Sequence, residues 1–142
     1  MIIERTNDMA LVKSILTTDG IWEMIGGKGL EKEDLITDKN WLHVVGIVGG
    51  EVVGMVMVHD TAEGEEKCHV QIIPKHRKEH SKEFGVKGMR WIWENTDIKR
   101  MVATIPIEYP NVREYAERQG FEVYETKPVK DGIIWLLEIN RS

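Results

Sequence analysis

The sequence predicts an α/β fold with a mixed, mostly antiparallel β-sheet of about six or seven strands and about four flanking helices. Two observations lead to this prediction. Runs rich in β-branched residues, joined by glycine turns, alternate with stretches in which apolar residues recur at helical spacing. One strand is followed by a long helix and then by another strand, and this order requires a crossover between parallel strands. The length predicts a single domain over residues 1–142.

The composition is that of an ordinary globular protein. Apolar residues make up 42% of the sequence and charged residues 30%, which is too apolar for a disordered chain. The formal net charge is −5, which argues against bulk binding to nucleic acid or anionic membranes. Cys68 is the single cysteine, so no internal disulfide is possible, and no signal peptide or membrane-length apolar run occurs. We therefore expect a cytoplasmic protein that binds neither nucleic acid nor membrane.

The first 40 residues predict a short strand, a helix and an irregular region. Asn7 or Asp8 can cap a helix whose apolar residues recur on one face as far as Leu16. Residues 21–40 predict a mobile segment, because a helical turn is followed at once by the glycine-rich stretch 26–29 and then by a run of charges.

Three strands are expected in the middle of the sequence. Residues 42–48 and 52–58 are rich in β-branched residues. Gly49-Gly50 lies between them and is typical of a hairpin with a primed turn, whose central residues need positive φ. Residues 67–72 alternate polar and apolar side chains, which predicts a strand with two different faces.

The second half of the sequence predicts two helices and three strands. A helix is expected from about Lys78 to Asn95, followed by a strand at 99–105 that should run parallel to 67–72. The final predicted elements are a helix ended by a C-cap glycine and two strands, at residues 112–119, 121–124 and 133–139.

The densest cluster of positive charge lies between a predicted strand and a predicted helix, at residues 74–82. This segment contains four of the 19 basic residues and two histidines. A helix N-terminus carries unpaired N–H groups and a partial positive charge. Arg77, Lys78 and Lys82 at this point therefore predict an anion site suited to a phosphate or pyrophosphate. A solvated basic helix start is the alternative, because cations at this end oppose the helix dipole unless an anion binds.

An ordered set of segments resembles the GNAT (Gcn5-related N-acetyltransferase) superfamily over nearly the whole chain. The set comprises the hairpin ending at 51–54, the Pro-x-x-Arg loop at 74–77 and the Gln-Gly-Phe sequence at 119–121, which two strands follow. Within the superfamily the chain is most similar to a branch often encoded by phages and prophages. That similarity rests on His-Val-Gln at 69–71 and on the segment 105–112.

The resemblance implies acetyl-CoA as the cosubstrate. Family members wrap the CoA pyrophosphate with a loop that begins with Gln or Arg and carries two small residues. Arg77 falls on the first position, but His80 and Lys82 occupy the small-residue positions. Glycine at those positions lets the backbone approach phosphate, so side-chain cations are expected to bind here instead. The complete set of expected CoA-binding residues is Ile72, Ile73, Arg77, Lys78, His80, Ser81 and Lys82.

His69 is the first candidate for a general base, because a neutral imidazole can take a proton from an amine, directly or through water. Gln71, two residues further along the same strand, can hold that water. Many relatives carry a tyrosine as general acid four residues before the glycine of the Gly-Phe pair, where this chain has Ala116. Tyr115 is the expected substitute, with Tyr109 as the alternative.

Further residues are weaker candidates for the site. Glu66 and His59 are alternatives to His69 as the base, and His69 can equally be a half-exposed strand residue with a structural hydrogen bond. Trp22 falls in the region that shapes the acceptor pocket in relatives, where it is either substrate-binding or the anchor of a surface loop.

Cysteine and metal chemistry are not expected. His76 and His80 are four residues apart, but no third ligand accompanies them, so we expect no metal site. Cys68 is adjacent to His69 on the predicted strand and so projects from the opposite face, where it should pack as a small hydrophobic residue.

The leading functional expectation is transfer of an acetyl group from acetyl-CoA to an amine on a small molecule or protein, by direct attack. A catalytically weak GNAT-like domain that serves as a protein-interaction or assembly module is the alternative. Binding of a nucleotide or another phosphate ligand without acyl transfer is a third reading. Dimers are common among relatives, so a homodimer is also expected.

Overall fold

The computed structural model describes residues 1–25 and 29–142. In these residues it contains four α-helices: α1 (Met9–Leu16), α2 (Trp22–Ile25), α3 (Arg77–Asn95) and α4 (Pro110–Arg118). The same residues form seven strands: β1 (Ile2–Arg5), β2 (Leu42–Val48), β3 (Glu51–Asp60), β4 (Glu66–Ile72), β5 (Arg100–Pro106), β6 (Glu122–Val129) and β7 (Gly132–Asn140). Short 3₁₀ turns lie at Lys32–Asp34 and Pro74–His76. None of the helices in the described ranges has the length and apolarity needed to cross a membrane.

The strands of the described residues are hydrogen bonded in the order β1-β2-β3-β4-β5-β7-β6. The pairs β1–β2, β2–β3, β5–β7 and β6–β7 are antiparallel. β4 runs parallel to β5, with Lys67 opposite Val102. The mixed, mostly antiparallel sheet predicted from the sequence is therefore confirmed, and so is the parallel crossover.

Residues 1–58 and 69–91 form one of two compact units. The predicted cap of α1 is confirmed at Asp8, whose carboxylate accepts a hydrogen bond from the Leu11 N–H at 3.1 Å. Beyond this cap, one face of α1 packs against β2 and β3. The buried core made there consists of Val12, Ile15, Leu16, Ile21, Val45, Met55 and Met57.

A second contact in this unit joins α3 to the sheet through Phe84, which is fully buried. Gly46 on β2 lies opposite Gly54 on β3. A Cβ atom placed on Gly46 would lie 2.5 Å from Cδ1 of the Phe84 ring, and one placed on Gly54 would lie 2.9 Å from Cδ2. The two glycines therefore leave the space that the phenylalanine ring fills.

The predicted hairpin between β2 and β3 is confirmed. Gly49 and Gly50 have φ values of 57° and 82°, the left-handed conformations that a primed turn requires. β2 spans the predicted residues, and β3 extends slightly beyond 52–58 at both ends.

Residues 59–68 and 92–142 form the second compact unit. β5 and β7 pair from Arg100 opposite Asn140 to Pro106 opposite Ile134. α4 is followed by Gly120, whose φ of 107° suits a glycine after a helix, as predicted. The expectation of a single domain stays a prediction.

Arg141 closes the C-terminal end of α3 within the second unit. Its guanidinium donates hydrogen bonds to the carbonyl oxygens of Trp93, Thr96 and Ile98. The guanidinium carbon also lies 5.2 Å from the centre of the Trp93 ring, a cation–π distance. One side chain thus binds a carbonyl group in the last turn of α3, where intrahelical partners are lacking, and two more in the segment that follows the helix.

Two elements differ from the sequence expectation in their bounds. β6 continues to Val129 instead of ending near residue 124, because this edge strand exposes most of its side chains and lacks the alternation used to recognise strands. α4 begins at Pro110, two residues early, since proline fits the first position of a helix. The predicted break at residues 26–28 lies outside the described residues.

Candidate functional site

The predicted anion site lies where β4 gives way to α3. The two are joined by Ile73 and the 3₁₀ turn Pro74–His76, so the chain is already turning when α3 begins at Arg77. The His76 N–H donates to the Ile73 carbonyl at 2.8 Å, and the Arg77 N–H donates to the Pro74 carbonyl. These backbone donors are thus used inside the turn, and proline supplies none. An anion here would depend chiefly on side chains.

The residues at the end of β4 also have partners. The Ile73 N–H donates to the Val53 carbonyl on β3 at 2.9 Å. Ile72 is buried, and its carbonyl accepts a hydrogen bond from Arg77 Nε at 3.3 Å. The strand end expected to receive the pantetheine arm is therefore hydrogen bonded both to β3 and to the first residue of α3.

Arg77 also reaches across to the segment that follows α1. Its Nη2 lies 3.4 Å from the Gly20 carbonyl, and a Cβ atom on Gly20 would lie 2.8 Å from Cγ of Pro74. Both guanidinium bonds are longer than the usual range of about 2.7–3.2 Å. A phosphate forms stronger, charge-assisted bonds than a carbonyl, so it can compete for this exposed guanidinium.

The cations at the start of α3 are divided between faces of the helix. Because α3 is helical from Arg77, each residue is rotated by about 100° from the one before it. Lys78 and Lys82, four positions apart, lie on one side, while Arg77 and Ser81 lie on another. Lys82 lines an open groove of about 420 Å³ along α3, together with Glu79, Glu83, Val86, Lys87 and Arg90.

Glu51 at the start of β3 contributes an acidic group to this cluster. Its carboxylate lies 3.0 Å from His76 Nε2 and 3.4 Å from Lys75 Nζ. The hydrogen bond from Lys75 is the main cause that lowers the pKa of Glu51, and the charge of Lys75 and the bond from His76 act in the same direction. The carboxylate thus partly neutralises the basic segment, a contact between residues 25 positions apart that the sequence did not reveal.

The two histidines of this segment have partners of their own. His80 Nε2 lies 3.2 Å from the Glu79 carboxylate, and the rings of His76 and His80 are 5.6 Å apart and tilted. Among residues 1–25 and 29–142, no group of three or more His, Cys, Asp or Glu side chains is arranged to hold a metal ion.

His69, the candidate base, lies in the part of β4 that belongs to the first unit. Its imidazole stacks against the indole of Trp41, with 6.5 Å between ring centres and 6° between planes. Gln71 follows two residues later and, by strand alternation, projects from the same face as His69. Trp41 was not among the residues singled out from the sequence.

A second histidine lies close to Trp41. His43 on β2 is 1% exposed, and its Nδ1 is buried without a hydrogen-bond partner. Burial is the main cause that lowers the pKa of His43 below its ordinary value of 6.5, while a hydrogen bond to the Trp41 backbone acts in the opposite direction. His43 is therefore held in the neutral form.

Tyr115, the candidate acid, lies on α4 in the second unit and is partly buried. Burial, with a smaller contribution from the charge of Cys68, raises the pKa of Tyr115 to about 12. The phenol therefore carries its proton at neutral pH. Cys68 is buried, and burial raises the pKa of its thiol to about 12, so the prediction that it packs as a small hydrophobe is confirmed.

The weaker candidates are placed as follows. Glu66 lies at the start of β4, where burial, a hydrogen bond with Asp60 and the charge of Asp60 raise its pKa. His59 Nδ1 lies 3.0 Å from the Asp60 carbonyl. Trp22 is the first residue of α2 and is half-buried, and the Trp22 N–H donates to the Thr18 carbonyl.

Comparisons with known proteins concern the fold. The sequence matches no family model, and a comparison with curated proteins also gives no match. Solved structures do match. The spermidine N-acetyltransferase SpeG from Vibrio cholerae, as its F149A mutant, has a TM-score of 0.75 at 10% identity, covering 99% of this chain and 95% of its own.

Two further structures agree with this similarity. AAC(6′)-Ib in complex with paromomycin and acetyl-CoA has a TM-score of 0.73 at 13% identity, covering 98% of this chain and 92% of its own. An acetyltransferase of the GNAT family from Streptococcus pneumoniae has a TM-score of 0.73 at 8% identity, covering 99% of each chain. The chain therefore has the fold of the GNAT acetyltransferases, as the sequence resemblance implied.

Proposed function

We propose that this protein is an N-acetyltransferase that moves an acetyl group from acetyl-CoA to an amine. The observation that carries the proposal is the similarity of nearly the whole chain to GNAT acetyltransferases, one of them solved with acetyl-CoA. A fold alone does not define an activity. Acetyl transfer also requires residues at the start of α3 and on β4 that suit this chemistry.

The start of α3 suits a pyrophosphate bound by side chains. Arg77 is exposed, its hydrogen bonds to the Ile72 and Gly20 carbonyls are long, and Lys78 adds a second cation on the adjoining side of the helix. Lys82 continues the face of Lys78 along the helix. His80 and Ser81 complete the proposed contacts, and the pantetheine arm would follow the end of β4 at Ile72 and Ile73.

The reaction needs one proton removed and one supplied. As the amine nitrogen attacks the thioester carbonyl, the bond from nitrogen to carbon forms, and the carbon–sulfur bond then breaks. In the proposed site His69 accepts the amine proton, directly or through a water held by Gln71. Tyr115 donates its proton to the departing CoA thiolate. The phenol of Tyr115 carries its proton at neutral pH, and burial, which raises its pKa to about 12, makes it a weaker acid than an exposed tyrosine.

The acceptor is proposed to be a primary amine on a small molecule, with a protein amine as the alternative. AAC(6′)-Ib is solved with paromomycin, and SpeG is a spermidine N-acetyltransferase, so two proteins of this fold act on or bind polyamines or amino sugars. The net charge of −5 favours approach of such cations. Trp22 is the proposed acceptor contact on α2.

Further aspects of the proposal depend on the sequence resemblance. The segments 69–71 and 105–112 support assignment to the GNAT-like branch common in phages. A cytoplasmic location and a homodimer are proposed on the same basis.

A second function is supported by a specific observation. His80 and Lys82 replace the small residues of the pyrophosphate loop, Ala116 replaces the usual tyrosine, and the loop positions are helical. These departures favour a catalytically weak domain that acts as an interaction or assembly module.

Thermal unfolding with and without acetyl-CoA separates the two functions. Ligand at 100 times its dissociation constant stabilises a fold by about 2.7 kcal/mol, which is several degrees in Tm for a domain of this size. ADP and desulfo-CoA serve as ligand controls. Arg77→Ala should abolish the shift measured against its own ligand-free Tm, whereas Arg118→Ala, on the exposed side of α4, should keep it.

The outcome decides between the functions. A CoA-dependent shift that Arg77→Ala removes, together with CoA release in the presence of an amine, supports the enzyme. Millimolar acetyl-CoA without any shift contradicts the enzyme and favours the interaction module.

A further inference from the structure

We infer that Trp41 is a positioning residue that fixes the plane of the His69 imidazole for proton transfer, an inference that rests on the proposed acetyl transfer. The two rings are 6.5 Å apart and almost parallel, at 6°. This separation falls within the roughly 4.5–7 Å of offset-stacked aromatic pairs. Nothing in the family pattern described above assigns a role to position 41.

Trp41 is itself held from two sides. The backbone N–H of Trp41 donates to the Asp38 carbonyl at 3.1 Å, and the backbone N–H of Asn40 donates to the Asp38 carboxylate at 2.8 Å. These bonds close a turn just before β2. The Trp41 side chain packs against the core cluster beneath α1. His43, fully buried on β2, bonds to the Trp41 backbone. The indole is thus a fixed surface.

Stacking on this surface constrains the imidazole of His69. It lies on a strand and is half-buried, and rotation about the terminal torsion of a histidine side chain is broad. Both ring nitrogens lie in the imidazole plane, so a stacked indole that sets the plane also sets the directions in which the nitrogens can accept or donate a proton. A displacement of about 1 Å in a reacting group can cost about 100-fold in rate.

A purely structural Trp41 is the competing explanation, because the ring also belongs to the apolar packing around α1. Double-mutant analysis separates the two roles. If Trp41 acts through His69, removing the indole has no further effect once the imidazole is absent. If Trp41 only supports the core, its removal slows the enzyme by the same factor whether or not His69 is present.

The experiment measures CoA release from acetyl-CoA with spermidine and with kanamycin as probe amines. His69→Ala should lower kcat by about 100-fold or more, the usual contribution of a general base. Trp41→Leu should lower kcat about 10-fold with KM for both substrates within about 3-fold, and Trp41→Phe, which keeps a flat face, should stay within about 3-fold of the wild type. Trp41→Leu combined with His69→Ala should match His69→Ala alone.

Trp93 provides the matched control. It is another half-buried tryptophan, on α3 beside Arg141, and lies outside the proposed machinery. Trp93→Leu should leave kcat within about 2-fold of the wild type and should not alter the effect of His69→Ala.

A spectroscopic readout tests the stack without turnover. The imidazole Cε1–H resonance of His69, assigned with His69→Gln, should move in Trp41→Leu, whereas those of His76 and His80 should not. An unmoved His69 resonance, or equal effects of Trp41→Leu in both backgrounds, would overturn the inference and leave acetyl transfer standing. A wild type that releases no CoA with either amine, or a His69→Ala variant at full rate, would overturn the proposed chemistry together with the inference.

Discussion

Gly46→Ala should destabilise the protein strongly, because the new methyl group would meet Phe84. The added Cβ would lie 2.5 Å from Cδ1 and 2.8 Å from Cε1 of the ring, against about 3.5–4.0 Å for a relaxed carbon–carbon contact. The ring must therefore move by about 1 Å inside a core that has no exposed surface at Phe84. Overpacking of this kind costs about 1–3 kcal/mol, and we expect the upper end. Alanine gains only about 0.5–1 kcal/mol over glycine in a strand, so the clash decides the sign.

The neighbouring glycine gives a different expectation. A methyl group on Gly54 would lie 2.9 Å from the Phe84 ring but also 3.0 Å from the Gln71 carbonyl oxygen, which is backbone. Replacing the phenyl ring by the smaller side chain in Phe84→Leu should therefore relieve most of the loss of stability caused by Gly46→Ala. It should relieve only part of the loss caused by Gly54→Ala. The first pair should show a favourable coupling of about 1–2 kcal/mol.

Urea unfolding followed by far-UV circular dichroism measures these free energies. Gly88→Ala is the matched control, because Gly88 lies on α3, the helix that also carries Phe84. A Cβ atom on Gly88 would lie 3.4 Å from Val56 Cγ2, an ordinary contact distance. Alanine favours the helix by about 1 kcal/mol there, so this variant should be neutral or stabilised. Additive effects of Gly46→Ala and Phe84→Leu, or a Gly46→Ala variant within about 0.5 kcal/mol of the wild type, would refute the packing described here.

Two further predictions concern the buried His43 and the half-buried Arg141. The pKa of His43 is below 6.5 in the folded protein, so the unfolded chain binds more protons just below pH 6.5 and stability should fall as the pH drops through this range. The free energy of unfolding should change by at most about 1.4 kcal/mol per pH unit through this group. His43→Leu should reduce the difference between the unfolding free energies measured at pH 7.5 and 5.5. An unchanged difference would contradict the role given to His43. Arg141→Ala should cost about 2–3 kcal/mol and speed amide exchange at residues 93–98, because carbonyls at the end of α3 lose charged donors. Arg141→Lys should recover less than half of that loss, because a lysine ammonium lacks the planar, forked set of N–H donors of a guanidinium. Full recovery of the stability by Arg141→Lys would show that the charge alone matters.

Local patterns predicted much of the fold. The β-branched runs located β2, Asp8 was one of two expected caps for α1, and Gly49-Gly50 gave the hairpin, because each signal is a short-range preference of the backbone. The strand–helix–strand order gave the parallel pairing of β4 and β5. These features are encoded by neighbours in the sequence, so no knowledge of tertiary contacts was needed.

Contacts between distant residues could not be predicted in the same way. Glu51 meets His76, and Trp41 meets His69, across 25 and 28 positions of sequence, and no periodicity records such pairs. The 3₁₀ turn at Pro74–His76 was also missed, although it continues the helix backwards and so decides which sides of α3 carry Arg77 and Lys82. The candidate residues were therefore identifiable by type, whereas their mutual orientation depends on tertiary structure.

The helical start of α3 has a consequence for selectivity and ionic strength. A glycine loop encloses a pyrophosphate with fixed dipoles close to the anion, whereas the proposed site here uses mobile cations on the sides of a helix. Interactions between exposed charges are screened over about 8 Å at physiological salt, so affinity for CoA would weaken as salt rises. Recognition would also depend on the number of charges more than on the shape of the diphosphate. Other polyphosphates of similar charge, inorganic pyrophosphate among them, would then act as competitors.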